Sequence, residues 1–173
     1  MICFDRPESL AGWHSIDDAV MGGISASRVD YDSRGYAVFS GIVSFANNGG
    51  FASVRCRLIA PRRNGITAYA LTVRGDGKTY KLSLRVDPEF DGVSYQAKFQ
   101  APLGDWMRIK LPVTDFVPVW RGRLVPDAPA LDTSRVRQIG LLIADRQEGP
   151  FRMEIQSISA LLDGLSFALR ELA

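Results

Sequence analysis

An all-β fold, an antiparallel β-sandwich or jelly roll, is predicted by three features of the sequence. Apolar side chains alternate with period two, turn residues recur at short spacing, and the continuous apolar runs and intervening helices of a parallel sheet are missing. Alternation matters because successive side chains of a strand point to opposite faces. In residues 78–86, Tyr80, Leu82, Leu84 and Val86 share one face, and Lys81, Ser83 and Arg85 the other. Val93, Tyr95, Ala97 and Phe99 alternate with Ser94, Gln96 and Lys98. Met107, Ile109 and Leu111 alternate with Trp106, Arg108 and Lys110, and Phe151, Met153 and Ile155 with Arg152, Glu154 and Gln156. One dry and one wet face per strand is the habit of antiparallel sheets.

Further strands are expected at 36–45, 51–58, 66–74 and 136–145. The breaks carry turn chemistry: Asn47-Asn48-Gly49-Gly50, Gly75-Asp76-Gly77, Asp87-Pro88 and Asp91-Gly92. Gly75-Asp76-Gly77 predicts a tight hairpin between the runs that flank it. Residues 117–131, with Pro118, Pro126 and Pro129, read as a long irregular connection that cannot hold a central strand. A short helix is predicted over 161–172, where Leu161, Leu165, Ala168, Leu169 and Leu172 share a face. It would dock on the sandwich or serve as a partner-binding or dimerising tail.

A chain of 173 residues, 46% hydrophobic and 23% charged, is expected to form one globular domain over 1–173. Its net charge of +2 and the lack of a basic run beyond Arg62-Arg63 argue against a nucleic-acid partner. No stretch approaches the roughly 20 apolar residues of a membrane span. The opening Met-Ile-Cys-Phe-Asp-Arg-Pro lacks a secretory or transit pattern, so the chain is read as cytoplasmic. Cys3 and Cys56 are expected to be buried and reduced rather than bridged. One histidine, His14, and two distant cysteines cannot supply a standard tetrahedral metal site, and no cofactor is expected. Ser25, Ser27 and Ser53 have no Gly-x-Ser-x-Gly elbow and no base held by a third group. No residue is assigned a catalytic role, and the chain is read as no enzyme.

The candidate binding residues lie in five places. Asp17 and Asp18 precede Gly22, Gly23 and Ser25, where they would touch a ligand or cation, or cap and shape a turn. Asn48, Gly49 and Gly50 form the second glycine-rich turn, suited to turn geometry or to close approach of another surface. Arg55 shares a strand face with Arg57, either to meet a carboxylate or phosphate bidentately or as a solvated face. Trp120, Arg121 and Arg123 have the composition of an interface anchor, although Trp120 would equally plug the core. Asp145 and Arg146 sit in the polar turn 145–150.

Five ordered blocks carry a resemblance to a known family. They are Trp13-His-Ser-Ile-Asp-Asp-Ala-Val-Met-Gly-Gly-Ile-Ser-Ala-Ser27, Phe39-Ser-Gly-Ile-Val-Ser44, Asn47-Asn48-Gly49-Gly50-Phe51-Ala52-Ser53-Val54-Arg55, Asp115-Phe116-Val117-Pro118 with Trp120-Arg121-Gly122-Arg123, and the run from Ile139 through Asp145-Arg146 to Ile155. With these blocks, over about 13–160, the chain resembles the complex I intermediate-associated protein 30 (CIA30) family. The resemblance implies a galactose-binding-like jelly roll without a recognised catalytic residue. Eukaryotic members act as assembly factors that bind intermediates of respiratory complex I. The leading expectation is therefore a protein-binding accessory factor, with Trp120, Arg121 and Arg123 anchoring the partner and Asp17, Asp18, Asn48 and Arg55 forming or bracing a polar site. The rival is a carbohydrate- or small-ligand-binding module, favoured if two or more of Trp13, Trp106 and Trp120 are exposed in one groove. An enzyme of unrecognised type would need Asp17 or Asp18 gathered with a second titratable group.

Overall fold

The computed structural model describes residues 1–58, 64–87 and 91–162. Within them the chain forms β1 (Ile2–Cys3), β2 (Trp13–Ser15), β3 (Ala26–Asp32), β4 (Tyr36–Val43), β5 (Ala52–Arg57), β6 (Ile66–Gly75) and β7 (Thr79–Arg85). There follow β8 (Ser94–Gln100), β9 (Met107–Pro112), β10 (Val117–Trp120), β11 (Arg123–Leu124), β12 (Gln138–Ile143) and β13 (Gly149–Leu162). Sheet I runs β3-β4-β13-β6-β9, with β1 also on β13, and sheet II runs β11-β10-β8-β7-β12-β5-β2. Every strand pair is antiparallel. The expected antiparallel β-sandwich is the fold.

The alternating faces meet in the core. Tyr80, Leu82 and Leu84 of β7, Leu141 and Ile143 of β12, and Leu71, Met153 and Ile155 of sheet I are fully buried. Each such side chain contributes about 1.5–3 kcal/mol through removal from water. Tyr80 packs its ring against Phe39, Phe99 and Phe151 with centroids 6.2–6.3 Å apart, joining the two sheets. The alternation fails at one end: Met107 is 52% exposed, because β9 is an edge strand and its first residue overhangs the core.

The link at Gly75-Asp76-Gly77 is not the predicted hairpin. β6 lies in sheet I and β7 in sheet II, so the chain crosses the sandwich there. A second crossover, between β8 and β9, runs beside it. The Gly75 N–H donates to the Pro102 carbonyl at 2.6 Å and the Gly77 N–H to the Ala101 carbonyl at 2.9 Å. A Cβ at Gly75 would stand 2.7 Å from that of Ala101, so glycine permits the approach. Asp76 secures the crossing, accepting from the N–H of Lys78 at 3.0 Å, the N–H of Arg152 at 2.9 Å and the Tyr80 hydroxyl at 3.0 Å. Asp76→Ala strands all three donors and is expected to destabilise the chain by about 2–3 kcal/mol in urea unfolding. A loss below about 0.5 kcal/mol would mean that the crossing is held elsewhere.

Residues 117–131 also differ from expectation, since β10 and β11 form a hairpin at the end of sheet II. Pro118 fits because its carbonyl accepts from the Val125 N–H at 3.0 Å. Its missing donor therefore faces the β11 side, beyond the last rung of the ladder at Val119 and Leu124. Both cysteines are free, but Cys3 is exposed and Cys56 half-buried, so the expected burial fails at Cys3, which sits on the two-residue strand β1. Leu161 and Leu162 close β13; the rest of the predicted terminal helix lies outside the described residues.

Candidate functional site

The two aspartates of the first signature block close one side of the sandwich. The chain leaves β2 in sheet II at Ser15, makes a short 3-10 turn over Asp18–Met21, and enters β3 in sheet I at Ala26. Asp17 accepts from the Ser27 N–H at 2.8 Å and hydroxyl at 2.6 Å on β3, and from the Ser53 N–H at 2.9 Å on β5. One carboxylate thus ties an edge of sheet I to sheet II. Asp18 is fully buried. It accepts from the Ser25 N–H at 2.9 Å and hydroxyl at 2.5 Å, the Gly50 N–H at 2.7 Å and the Phe51 N–H at 3.3 Å. Burial pushes the Asp18 pKa up, but the Ser25 hydroxyl and the N–H groups of Gly50, Phe51 and Ser25 outweigh it, and the net shift is downward.

The glycines of the two turns make room for that carboxylate. A Cβ at Gly23 would overlap the Asp18 carboxylate, with even the Asp18 Cβ only 2.9 Å away. A Cβ at Gly49 would stand 2.6 Å from Asp18 Oδ2. Gly22 differs: it has φ +89° at the end of the turn and nothing nearby. Asn47 and Asn48 take the left-handed conformation, with φ of 55° and 61°, and both are exposed.

Asp17, Asp18, Gly23, Ser25, Gly49 and Gly50 come together, as an internal staple rather than as the polar site expected of Asp17, Asp18, Asn48 and Arg55. The expected ligand contact is corrected for Asp18, which has no exposed oxygen and is saturated by the chain's own donors. Turn capping is corrected for Asp17, whose side chain does not cap the 3-10 turn it precedes but reaches across to Ser27 and Ser53. Ser27, Ser53 and the Phe51 N–H complete the staple and were missed as partners. The only signal in the sequence was that serines follow each glycine pair within four residues.

The other candidates stand apart. Trp120, Arg121 and Arg123 sit on the β10–β11 hairpin, at the opposite end of sheet II from β2. Arg121 and Gly122, with φ of 47° and 77°, form its two-residue turn between paired Trp120 and Arg123. Asp91, read from sequence only as a turn residue, clamps this tip: it accepts from Trp120 Nε1 at 3.1 Å and from Arg121 at 2.6 Å. The Arg121 bond, then that of Trp120, holds the Asp91 carboxyl below its usual range. The Arg121 guanidinium lies 4.8 Å from the Trp120 ring centroid. Trp120 remains 44% exposed; Leu124 and Val117 are exposed too, but lie on the other face of the hairpin, since Leu124 pairs with Val119 and Trp120 with Arg123.

Asp145 and Arg146, both at positive φ, turn the chain from β12 in sheet II to β13 in sheet I. Asp145 pairs with Lys81 and Lys98 at 2.7 Å each. Arg55 lies on the outward face of sheet II, where burial and then the charge of Arg85 push its pKa down to about 10. The tryptophans are not gathered. Trp13 is core, Trp106 is half-buried against Tyr36 and Arg74, and Trp120 stands on the hairpin.

Fold and site define a two-sheet antiparallel sandwich whose signature loops bind the sheets to each other. The model of complex I intermediate-associated protein 30 (CIA30) matches residues 2–155, and the chain belongs to that family. The probable mitochondrial complex I intermediate-associated protein 30 of Caenorhabditis elegans is 29% identical over 92% of this chain and 53% of its own length. The mitochondrial protein of that name from Drosophila melanogaster is 25% identical over 92% of this chain and 62% of its own. The chain thus spans between half and two thirds of these relatives. Among solved structures, the family 11 carbohydrate-binding module of a cellulosomal cellulase of Clostridium thermocellum aligns with TM-score 0.69 at 14% identity, over 92% of this chain and 93% of the module. That likeness is one of fold. Among the described residues no helix is long and apolar enough to cross a membrane.

Proposed function

We propose that the chain is a non-catalytic binding domain that engages a protein partner through the β10–β11 hairpin, as an accessory factor for respiratory-complex assembly intermediates. The observation that carries this reading is the exposed Trp120, held in place by Asp91 and Arg121 at the tip of the hairpin. A fixed aromatic with a flanking arginine loses little freedom on docking, which is why such residues dominate interface energies. The short edge strand β11 adds open backbone groups beside them. Membership of a family named for complex I intermediates supports a partner of that kind. Non-catalysis is supported at the signature by the use of both carboxylates as acceptors for the chain's own N–H and O–H groups. The cytoplasmic setting read from the sequence is kept as part of the proposal.

The carbohydrate-binding alternative draws on the fold likeness, but the three tryptophans do not form one platform. Affinity capture from the source organism tests the main reading. The parent domain is expected to enrich subunits of a respiratory-complex intermediate, and Trp120→Ala to reduce that enrichment about 30-fold. Equal recovery by a folded Trp120→Ala domain would overturn it.

A further inference from the structure

We propose that β9, the open edge of sheet I, is a docking site for an extended segment of a partner protein in which acidic and apolar residues alternate, added to the sheet as one more strand. This surface lies on the other sheet from the β10–β11 hairpin. β9 ends the order β3-β4-β13-β6-β9, and among the described residues the backbone of Met107–Pro112 makes hydrogen bonds to β6 and to no other segment. In a strand paired on one side only, every second residue turns its N–H and C=O to the unpaired side, which is a template for strand addition. With six residues β9 has the length of an ordinary strand, whereas β11 has two.

The side chains of the edge select the strand that fits. Leu111 is buried and Ile109 packs on the core, so Arg108 and Lys110 face outward, and both are exposed. Their cross-strand neighbours on β6 are Thr72 and Ala70, which carry no charge. Glu154 on β13 is held by Arg74 and Arg152, and among the described residues neither Arg108 nor Lys110 has an ion-pair partner. An added strand with a carboxylate opposite each cation gains two pairs, and like charge there is unfavourable. Two copies of β9 joined antiparallel about Ile109 would set Arg108 against Lys110, so the charges select against self-pairing. The inward side is apolar: Met107, paired with Val73, is 52% exposed, and Leu103, which bridges Gly75, is 74% exposed. Both stand along the same edge of β6, and apolar residues between the acids of an added strand would cover them.

The test titrates the full chain against fluorescent, end-capped peptides at constant ionic strength and follows amide hydrogen exchange by NMR. The probe is Thr-Glu-Val-Glu-Val-Glu-Thr; the controls are its block isomer Thr-Glu-Glu-Glu-Val-Val-Thr and the basic analogue Thr-Lys-Val-Lys-Val-Lys-Thr. The alternating acidic peptide is expected to bind saturably and to slow exchange at the outward amides of β9, with both controls weaker by about tenfold or more. Arg108→Glu combined with Lys110→Glu, at two exposed positions, is expected to weaken the acidic peptide about tenfold and strengthen the basic one. Trp120→Ala is expected to bind the probe like the parent, so this inference and the hairpin reading fail separately. No saturable binding, equal binding of either control, binding undiminished by the charge reversal, or binding that leaves the β9 amides unprotected overturns the proposal.

Discussion

Replacing Asp18 with alanine is expected to lower the unfolding free energy by about 3–5 kcal/mol and the melting temperature by roughly 10–15 °C. The size follows from what is left behind. The N–H groups of Ser25, Gly50 and Phe51 and the Ser25 hydroxyl all donate to this one buried carboxylate. Each donor stranded out of reach of water costs about 1–3 kcal/mol, partly relieved where water can enter. Asp18→Asn keeps the shape but turns an NH2 toward donors, and should fall between parent and alanine. The pH dependence has a definite sign. A carboxyl whose pKa is lower in the folded than in the unfolded state contributes stability above the unfolded value, near 3.8, and loses it as pH falls through the folded value. Asp18→Asn should therefore flatten the acid limb of the stability profile. Urea unfolding between pH 2 and 7 (roughly the window around an aspartate's titration) reads both effects.

The second large effect is expected at Gly23, with Gly22 as its control. These adjacent glycines are needed for different reasons. Gly22 has φ +89° and open space around it, so Gly22→Ala carries only the conformational cost of a left-handed residue, about 1–2 kcal/mol. Gly23 is not in that region, but its added methyl would occupy the place of the Asp18 carboxylate. Gly23→Ala should thus cost more, about 2–4 kcal/mol, by pushing Asp18 off its donors. Because the damage runs through Asp18, it should largely vanish in an Asp18→Ala background. Additive losses in the double variant would show that Gly23 acts independently of the staple.

Much of the sandwich was legible because its central strands bury one face and wet the other. Tyr80, Leu82 and Leu84 alternate with Lys81, Ser83 and Arg85 in sequence as they do in space. What sequence did not tell was which sheet each strand joins. Gly75-Asp76-Gly77 has the chemistry of a reversal, and a reversal within a sheet and a crossing between sheets need the same local freedom; the deciding bonds, to Ala101 and Pro102, are far along the chain. β3 was missed for another reason. As the edge of sheet I it alternates Arg28 and Asp30 with Ser27, Val29 and Tyr31, only half-buried, so its contrast is weak. Pro118 hid β10 because a proline is compatible with a strand only where its missing donor faces no partner, and that depends on where β11 stops.

The candidate site was legible as a set of residues and misleading as to role. Two aspartates, two glycine pairs and spaced serines read equally well as a ligand pocket and as an internal network. Only the burial of Asp18 and the direction of its donors separate them. The Asp91 clamp needed the three-dimensional structure, since it joins residues about thirty apart.

The signature carboxylates serve to hold two sheets together. A carbon-detected NMR titration of the Asp18 carboxyl examines this directly. The midpoint is expected below the ordinary value of 3.8, as for an anion enclosed by donors. A midpoint at or above that value would contradict the account, because it would mark a carboxylate that the chain's own N–H groups do not hold.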